Sequence, residues 1–298
     1  MKHIFIINPI SGHHDAIQLI PWIESYFKDR KQDYVVHLTQ YPKHATELAA
    51  QYHVSDDVCI YACGGDGTVN EVLNGLAPDV PMAIIPVGTG NDFYRMLKLK
   101  NSNLKDVLIK TIEGKQVEVD SGLAQGRRFL DSVSIGFDAN VGYDANRFAR
   151  IKWLPSKLVY LASVFKNLSD RKAQKMTLDF NGQTLVEEVL IVALMNGQFY
   201  GGGFLPTPQA SIQDGYLDVC VIENTNLANV LRLLPKYMKG THIDEPIVKF
   251  YKTQAIRIET ILDNNVQSDG EMSRTKILDV RILPKSVQLR VPEESALS

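Results

Sequence analysis

Cys63-Gly64-Gly65-Asp66-Gly67-Thr68-Val69-Asn70-Glu71-Val72 decides how the chain reads. An apolar, partly β-branched run, Val58-Cys59-Ile60-Tyr61-Ala62, precedes it and has the length and composition of a buried strand. Behind it, apolar residues at 69, 72, 73 and 76 repeat at helical spacing until Gly75 and Pro78 stop them. Gly64, Gly65, Asp66, Gly67 and Thr68 therefore occupy a strand-to-helix turn. Glycine lets the backbone approach a ligand closely. Free N–H groups at a helix start, backed by the macrodipole, attract anions. A carboxylate at Asp66 would repel phosphate unless a cation lay between them, so the string points to phosphate together with Mg²⁺. The plain alternative is a tight turn with Thr68 as the helix N-cap.

Outward from this loop the same unit repeats. An apolar strand over residues 3–7 runs into the turn Asn8-Pro9-Ile10-Ser11-Gly12, and the spacing of Ile17, Ile20, Ile23 and Phe27 predicts a helix from about Asp15 to Lys28. A strand over Tyr34 to Thr39 leads to a helix over about Lys43 to Tyr52. Met82 to Pro86 reads as a further strand, followed by Val87-Gly88-Thr89-Gly90-Asn91-Asp92 and a short helix through Phe93 and Leu97. Helical spacing returns from Leu104 to Ile112. Alternation of this kind predicts an α/β domain with a parallel sheet covered by helices on both faces. Ligands of such sheets bind beyond the carboxyl ends of the strands. Asn8–Gly12, Thr39, Gly64–Thr68 and Gly88–Asn91 all lie at that edge.

After about residue 115 the texture changes. Val117 to Leu123 and Arg127 to Ile135 read as strands. Met176 to Phe180 and Thr184 to Leu194 flank Asn181-Gly182, a strong hairpin signal. Further strand-like runs cover 216–222, 246–250, 254–259, 261–267, 277–283 and 286–291, interrupted by a helix from Leu227 to Lys239. The expectation is a mostly antiparallel β domain, a sandwich or barrel-like fold. The division is thus residues 1–115 as an α/β domain and 116–284 as a β-sandwich domain, with 285–298 returning to the first.

Composition sets bounds. The 298 residues are 45% hydrophobic and 22% charged, with net charge −2. That is a globular composition, and it carries no global field that would draw nucleic acid. Cys59, Cys63 and Cys220 lie in apolar runs without metal or disulfide spacing. The N-terminus is too short for a signal-peptide core, and no apolar run approaches the roughly 18 residues that would span a bilayer. A cytoplasmic protein is expected. Arg147 to Lys175 stands apart, with eight basic residues, one acid and interleaved apolar and aromatic residues such as Phe148, Trp153 and Tyr160. Such a stretch can lie on an anionic membrane surface. It can equally be a solvated helix face.

Ser268-Asp269-Gly270-Glu271 places two carboxylates around a glycine at a strand end. Asp-Gly is common turn chemistry. Beside a phosphate loop, a carboxylate there could instead serve as base or metal ligand in phosphoryl transfer. Ser211-Ile212-Gln213-Asp214-Gly215-Tyr216 is either a turn or a set of oxygens for a hard cation. The histidines form no nucleophilic triad, and no GxGxxG follows the first strand.

Taken together, Asn8-Pro9-Ile10-Ser11-Gly12, Gly64-Gly65-Asp66-Gly67-Thr68-Val69-Asn70-Glu71, Pro86-Val87-Gly88-Thr89-Gly90-Asn91-Asp92-Phe93 and Asp269-Gly270-Glu271 resemble the diacylglycerol kinase catalytic family. The likeness is to its soluble bacterial branch, which is similar also to sphingosine and ceramide kinases. Ser134-Ile135-Gly136-Phe137-Asp138-Ala139 and Asp214-Gly215-Tyr216-Leu217-Asp218 resemble further segments of it. The resemblance covers nearly the whole chain. It implies a nucleotide-binding α/β domain plus a β-sandwich domain of the NAD kinase/diacylglycerol kinase-like type, with a lipid hydroxyl as phosphoryl acceptor.

By motif, it implies that Asn8, Pro9, Ser11, Gly12, Thr39, Gly64, Gly65, Asp66, Gly67, Thr68, Asn70, Glu71, Gly88, Thr89 and Asn91 line an ATP site, with Arg95 as a phosphate contact. Asp66 would act through Mg²⁺, Asp269 as general base with Glu271 beside it, and Ser211, Asp214 and Tyr216 would hold a structural Mg²⁺. With a lipid as substrate, the basic Arg147–Lys175 stretch is the expected peripheral contact with an anionic membrane surface. A homodimer is compatible with the sequence, which does not specify the oligomer. The chain departs from the family at His13-His14, where relatives carry Lys or Arg, and at Asp131, where Asn is commoner. Two other readings stay open: a NAD kinase-like enzyme, since Gly-Gly-Asp-Gly-Thr occurs there too, and a non-catalytic protein that binds lipid or nucleotide for regulation.

Overall fold

β1 (Lys2–Ile7) buries every residue except Lys2, because it lies between two partners in a sheet covered on both faces. The computed structural model describes residues 1–99, 103–137, 139–140 and 174–297. The Arg147–Lys175 segment lies outside them up to residue 173, as does Asp138. Chain contacts divide the molecule into two units. One holds Met1–Ser121, Ile212–Gly215 and Leu283–Ser298, and the other holds Gly122–Ser211 and Tyr216–Ile282. Residues 116–121, 212–215 and 283–284 thus go with the first unit, beyond the boundaries read from sequence. Asp120 accounts for this. Its N–H donates to Ile212 O at 2.7 Å, and its carboxylate accepts from Gly215 N and Lys285 N at 2.7 Å each.

In the first unit β1 pairs in parallel with β2 (Tyr34–Leu38) and β3 (Val58–Gly64), and β3 with β4 (Met82–Pro86). The last strand, β13 (Glu271–Val291), ends here, where Leu289 and Arg290 pair in parallel with Met82 and Ala83. Phe5, Ile7, Cys59, Tyr61, Cys63, Ala83 and Ile85 form one face of the sheet. They pack against α1 (Leu19–Phe27) through Leu19, Ile23 and Phe27, and against α5 (Leu104–Glu113) through Leu108 and Ile112. α2 (His44–Ala49) packs on α3 (Asp66–Gly75), and α3 on β3. α4 (Asp92–Arg95) follows β4.

The helix read over 15–28 is shorter than expected. Ser11–Gln18 forms 3-10 turns broken by left-handed Gly12, His13 and His14, and regular helix begins only at Leu19. Conversely, α3 starts at Asp66. Its N-cap is Gly65, not Thr68, whose side chain is buried.

The second unit is antiparallel. Between β5 (Lys115–Ala124), which enters from the first unit, and β12 (Ala255–Ser268) come β6 (Arg127–Phe129), β7 (Ser132–Gly136), β8 (Gln174–Phe180), β9 (Gln183–Met195), β10 (Leu217–Glu223) and β11 (Val248–Thr253). Their hydrogen-bonded order runs β11-β10-β9-β7-β12, with β8 joining β9 to β12 and the first part of β13 on β12. The two strands read over 277–283 and 286–291 are one strand, which passes a left-handed Lys285 after Pro284. Asn181 and Gly182 have φ of 51° and 72° and close the β8–β9 hairpin as a primed two-residue turn. Inward residues such as Phe129, Val192, Leu194, Val219, Ile258 and Leu278 make the core on one face. On the other, α6 (Leu227–Lys239) covers Ile191, Ala193, Cys220 and Ile222 with Val230, Leu233 and Tyr237. Among the described residues no helix is long and apolar enough to cross a membrane.

Candidate active site

Three loops leave the first unit's sheet side by side because the ladder runs one step past the strands. Asn8 N donates to Cys63 O at 3.0 Å, and Val87 N to Gly64 O at 2.9 Å. Thr39 joins from β2, its N–H on Ile7 O at 2.9 Å. Glycine is required where the loops meet. A Cβ on Gly88 would sit 2.3 Å from the Gly65 Cα, and one on Gly12, at φ +60°, 2.5 Å from Val87 O. Gly67 is different, since nothing lies within 4 Å of where its Cβ would stand. Thr68 N and Val69 N both return to Gly65 O, at 2.9 and 3.1 Å. The amides of Asp66 and Gly67 precede them and fall outside the helix ladder. First-turn amides and open space at a helix start suit a phosphate chain.

Asp66 itself faces inward onto protein. Its Oδ2 accepts from Asn91 N and its Oδ1 from Asp92 N, both at 2.8 Å, so it ties the first glycine loop to the second. Asn91, left-handed at φ 53°, closes its own turn by donating from Nδ2 to Gly88 O and accepting from Gly88 N. Arg95 donates to Gly90 O at 3.1 Å and lies 3.5 Å from Asp92, leaving Thr89 exposed at the loop tip. Asn8 Nδ2 donates to Thr68 Oγ1 at 3.2 Å, its Oδ1 caps Ile10 N, and its carbonyl accepts from Ser11 N. Pro9 O lies 3.2 Å from the His14 ring.

Asn70 is buried and accepts from Asn74. The Glu71 carboxylate accepts from Lys43 N and Ala45 N, and so caps α2. Cys63 at the end of β3 is fully buried, and burial pushes its thiol above the ordinary range. Burial raises Cys59 to about 12. Both stay protonated and serve as packing residues.

In the second unit, Asp269 and Gly270 are the two-residue turn of the β12–β13 hairpin, with φ of 43° and 86° and Ser268 opposite Glu271. Turn and functional readings of this motif are compatible, because the turn aims the carboxylate. Asp269 Oδ2 accepts from Leu130 N at 2.7 Å, and Oδ1 from Asp131 N and Ser132 N at 3.0 Å each. Its own N–H donates to Ser132 O. Three consecutive amides thus form a concave anion site around it. Glu271 is more than half exposed and lies 3.8 Å from Arg127, a pair of little energetic weight.

Sequence reading missed the brace behind this site. Asn196 is fully buried. Its Nδ2 donates to Leu130 O at 2.6 Å, and its N–H, with that of Gly197, donates to Asp131 O. Asn-Gly reads as an ordinary turn, so no signal marked it. The Leu130 and Asp131 carbonyls accept these bonds, and Asp131 Oδ1 packs where a Cβ on Gly197 would stand, at 2.7 Å. Ser211 and Tyr216 count with the second unit and Asp214 with the first. Among the described residues no three His, Cys, Asp or Glu side chains converge as a metal site.

The chain matches the diacylglycerol kinase catalytic domain family over residues 2–124 and the YegS C-terminal NAD kinase beta sandwich-like domain over residues 131–291. A diacylglycerol kinase of Staphylococcus aureus (strain bovine RF122 / ET3-1) is 31% identical over 272 residues, covering 89% of this chain and 84% of that protein. One of Bacillus subtilis (strain 168) is 25% identical over 300 residues, covering 99% and 98%. The crystal structure of a diacylglycerol kinase from Bacillus anthracis str. Sterne superposes with a TM-score of 0.74 at 24% identity, over 97% of this chain and 96% of that one. This last likeness carries the two-domain fold: an α/β domain followed by a β-sandwich-like domain.

Proposed function

Because the chain belongs to the diacylglycerol kinase family, and is a lipid kinase, we propose that its acceptor is the primary hydroxyl of diacylglycerol and its product phosphatidic acid. The hydroxyl oxygen attacks the γ-phosphorus of ATP, the bond to the β-phosphate oxygen breaks, ADP leaves, and the hydroxyl proton passes to a carboxylate. The reading gives that carboxylate to Asp269. The observation that carries it is the hold of Leu130, Asp131 and Ser132 amides on its two oxygens. They hold the carboxylate ionised in one orientation, as a group that is to receive a proton from a positioned hydroxyl requires. Glu271 sits beside it as a less constrained second carboxylate.

The nucleotide's phosphates would lie on the Asp66 and Gly67 amides, with Arg95 the nearest cation of the second loop. Mg²⁺, when bound, neutralises charge on the phosphate oxygens. Asp66 would hold it with the acceptor sites its two amide bonds leave, since a carboxylate has about four. The Arg147–Lys175 segment is the proposed contact with anionic membrane.

Radiolabelled ATP offered with diacylglycerol, sphingosine, phosphatidylglycerol and NAD tests the assignment. Label is expected in phosphatidic acid, and label confined to NADP or to no product would sink it. Asp269→Asn should abolish turnover while ATP binding survives. Turnover lost instead in Glu271→Gln, and kept in Asp269→Asn, would move the base to Glu271.

A further inference from the structure

β12 and β13 pair in register up to Glu259 opposite Ile277, and resume at Asn264 opposite Thr275. Between these points four residues, Thr260 to Asp263, face the single residue Lys276. The surplus is extruded as a bulge. It is held from beneath. Thr260 Oγ1 lies 2.8 Å from Leu262 O and 3.2 Å from Lys276 O. Asn264, only 3% exposed, donates from Nδ2 to Leu262 O at 2.9 Å, and Arg274 reaches Asp263 O at 3.4 Å.

The side chains so presented are apolar. Ile261 is 77% exposed and Leu262 66%, with Ile277 beside them at 40%. A buried asparagine thus spends its amide on holding two large aliphatic residues out in water. That arrangement marks a surface made for an apolar partner.

Its surroundings specify which partner. Exposed Lys276 stands opposite the bulge, Arg274 braces it, and exposed Lys175 adjoins Met176, which pairs with Thr260. Neither Lys276 nor Lys175 has an ion-pair partner among the described residues. The acids nearby are Asp263, Glu188, which lies opposite Lys175, and Glu259, which shares Arg257 with Asp279 at 2.8 and 3.2 Å. Two aliphatic tips flanked by Lys276, Arg274 and Lys175 match a bilayer whose acyl region accepts the first and whose anionic headgroups accept the basic side chains.

We propose that the Thr260–Asp263 bulge is a membrane-insertion wedge, in which Ile261 and Leu262 enter the acyl region of an anionic bilayer while Lys276, Arg274 and Lys175 contact its headgroups. The proposal rests on the lipid-kinase reading for its purpose, and its binding test stands apart from that reading. Sedimentation with vesicles of phosphatidylcholine and phosphatidylglycerol measures the partition of the wild type and of Ile261→Ser/Leu262→Ser. A fall of about tenfold or more is expected, since each aliphatic side chain contributes over a factor of ten when fully buried. Lys276→Gln/Lys175→Gln should weaken binding to these vesicles and leave binding to pure phosphatidylcholine unchanged.

Leu262→Trp, in an otherwise intact chain, should show a blue shift of emission on vesicle addition. Unchanged partition of the serine variant, or no shift from the introduced indole, overturns the wedge. So does a serine variant that changes only the oligomeric mass, because the face would then join two copies of the chain. Phosphorylation of diacylglycerol in detergent micelles should be equal in wild type and serine variant. If the wild type phosphorylates no lipid there, the functional reading fails while the vesicle result still stands.

Discussion

His3 is 1% exposed, and its Nδ1 lies 2.8 Å from the Tyr61 hydroxyl, in the middle of the first unit's sheet. Burial first, and then the positive charges of Arg290 and the N-terminal ammonium, push its pKa from 6.5 down to about 4. The folded state therefore keeps the ring neutral where the unfolded chain would protonate it. Between pH 6.5 and 4 the unfolded state binds more protons, so stability is complete above this window and is lost as pH falls through it. The loss should reach about 3 kcal/mol at the acid end. Urea midpoints for wild type and His3→Leu at pH 7 and pH 4.5 check this. The wild type should lose more stability between the two, and equal losses would show that His3 is not the group that titrates. Three carboxylates serve the backbone instead. Asp66, Asp120 and Asp269 each place both oxygens on backbone amides of a loop. A charged acceptor holds two donors at once and satisfies groups that turns leave unpaired.

At the scale of elements, Glu71 shows how a site motif doubles as architecture. It lies on α3, yet its two oxygens accept from Lys43 N at 2.9 Å and Ala45 N at 3.2 Å, where α2 begins from a left-handed Lys43. Thr46 Oγ1 returns to Glu71 O at 2.8 Å, and Gly75 leaves room for Thr46, whose carbonyl a Cβ would meet at 2.2 Å. Glu71→Gln turns one acceptor into a donor facing an amide, which costs about 1–3 kcal/mol. A fall in melting temperature with an unchanged KM for ATP is the expected result, and a raised KM with unchanged melting would place Glu71 at the nucleotide instead.

The same case shows what sequence can carry. Strands and the Leu227–Lys239 helix were legible because apolar period and glycine punctuation are local. The Asn181-Gly182 turn was legible because only a few residue pairs adopt two positive φ angles. The partners of Glu71, Asp66 and Asp269 were not, because each lies on another loop at least 25 residues away. Left-handed His13 and His14 were not either, since no short-range pattern requires them.

The whole molecule depends on its last residues more than the position of its motifs suggests. Leu283–Ser298 belongs to the first unit, although the glycine loops at that unit's sheet edge all precede residue 92. Lys285 N donates to Asp120, Ser286 Oγ lies 2.7 Å from Ser121 Oγ, and Arg290 donates to the carbonyls of Thr111 and Ile112 at the end of α5. Val287, Leu289 and Val291 are at most 1% exposed, and Leu289 continues the sheet beside Met82. Three such side chains contribute roughly 1.5–3 kcal/mol each. Their sum is comparable with the roughly 5–15 kcal/mol that typically holds a domain folded. A chain ending at Ile282 should therefore lose the first unit. Its far-UV circular dichroism should show reduced helix. Limited proteolysis should cut within residues 1–121, and ATP should no longer raise the melting temperature. If the shortened chain melts at the wild-type temperature and still responds to ATP, the C-terminal strand is dispensable and the sheet is closed by β4 alone.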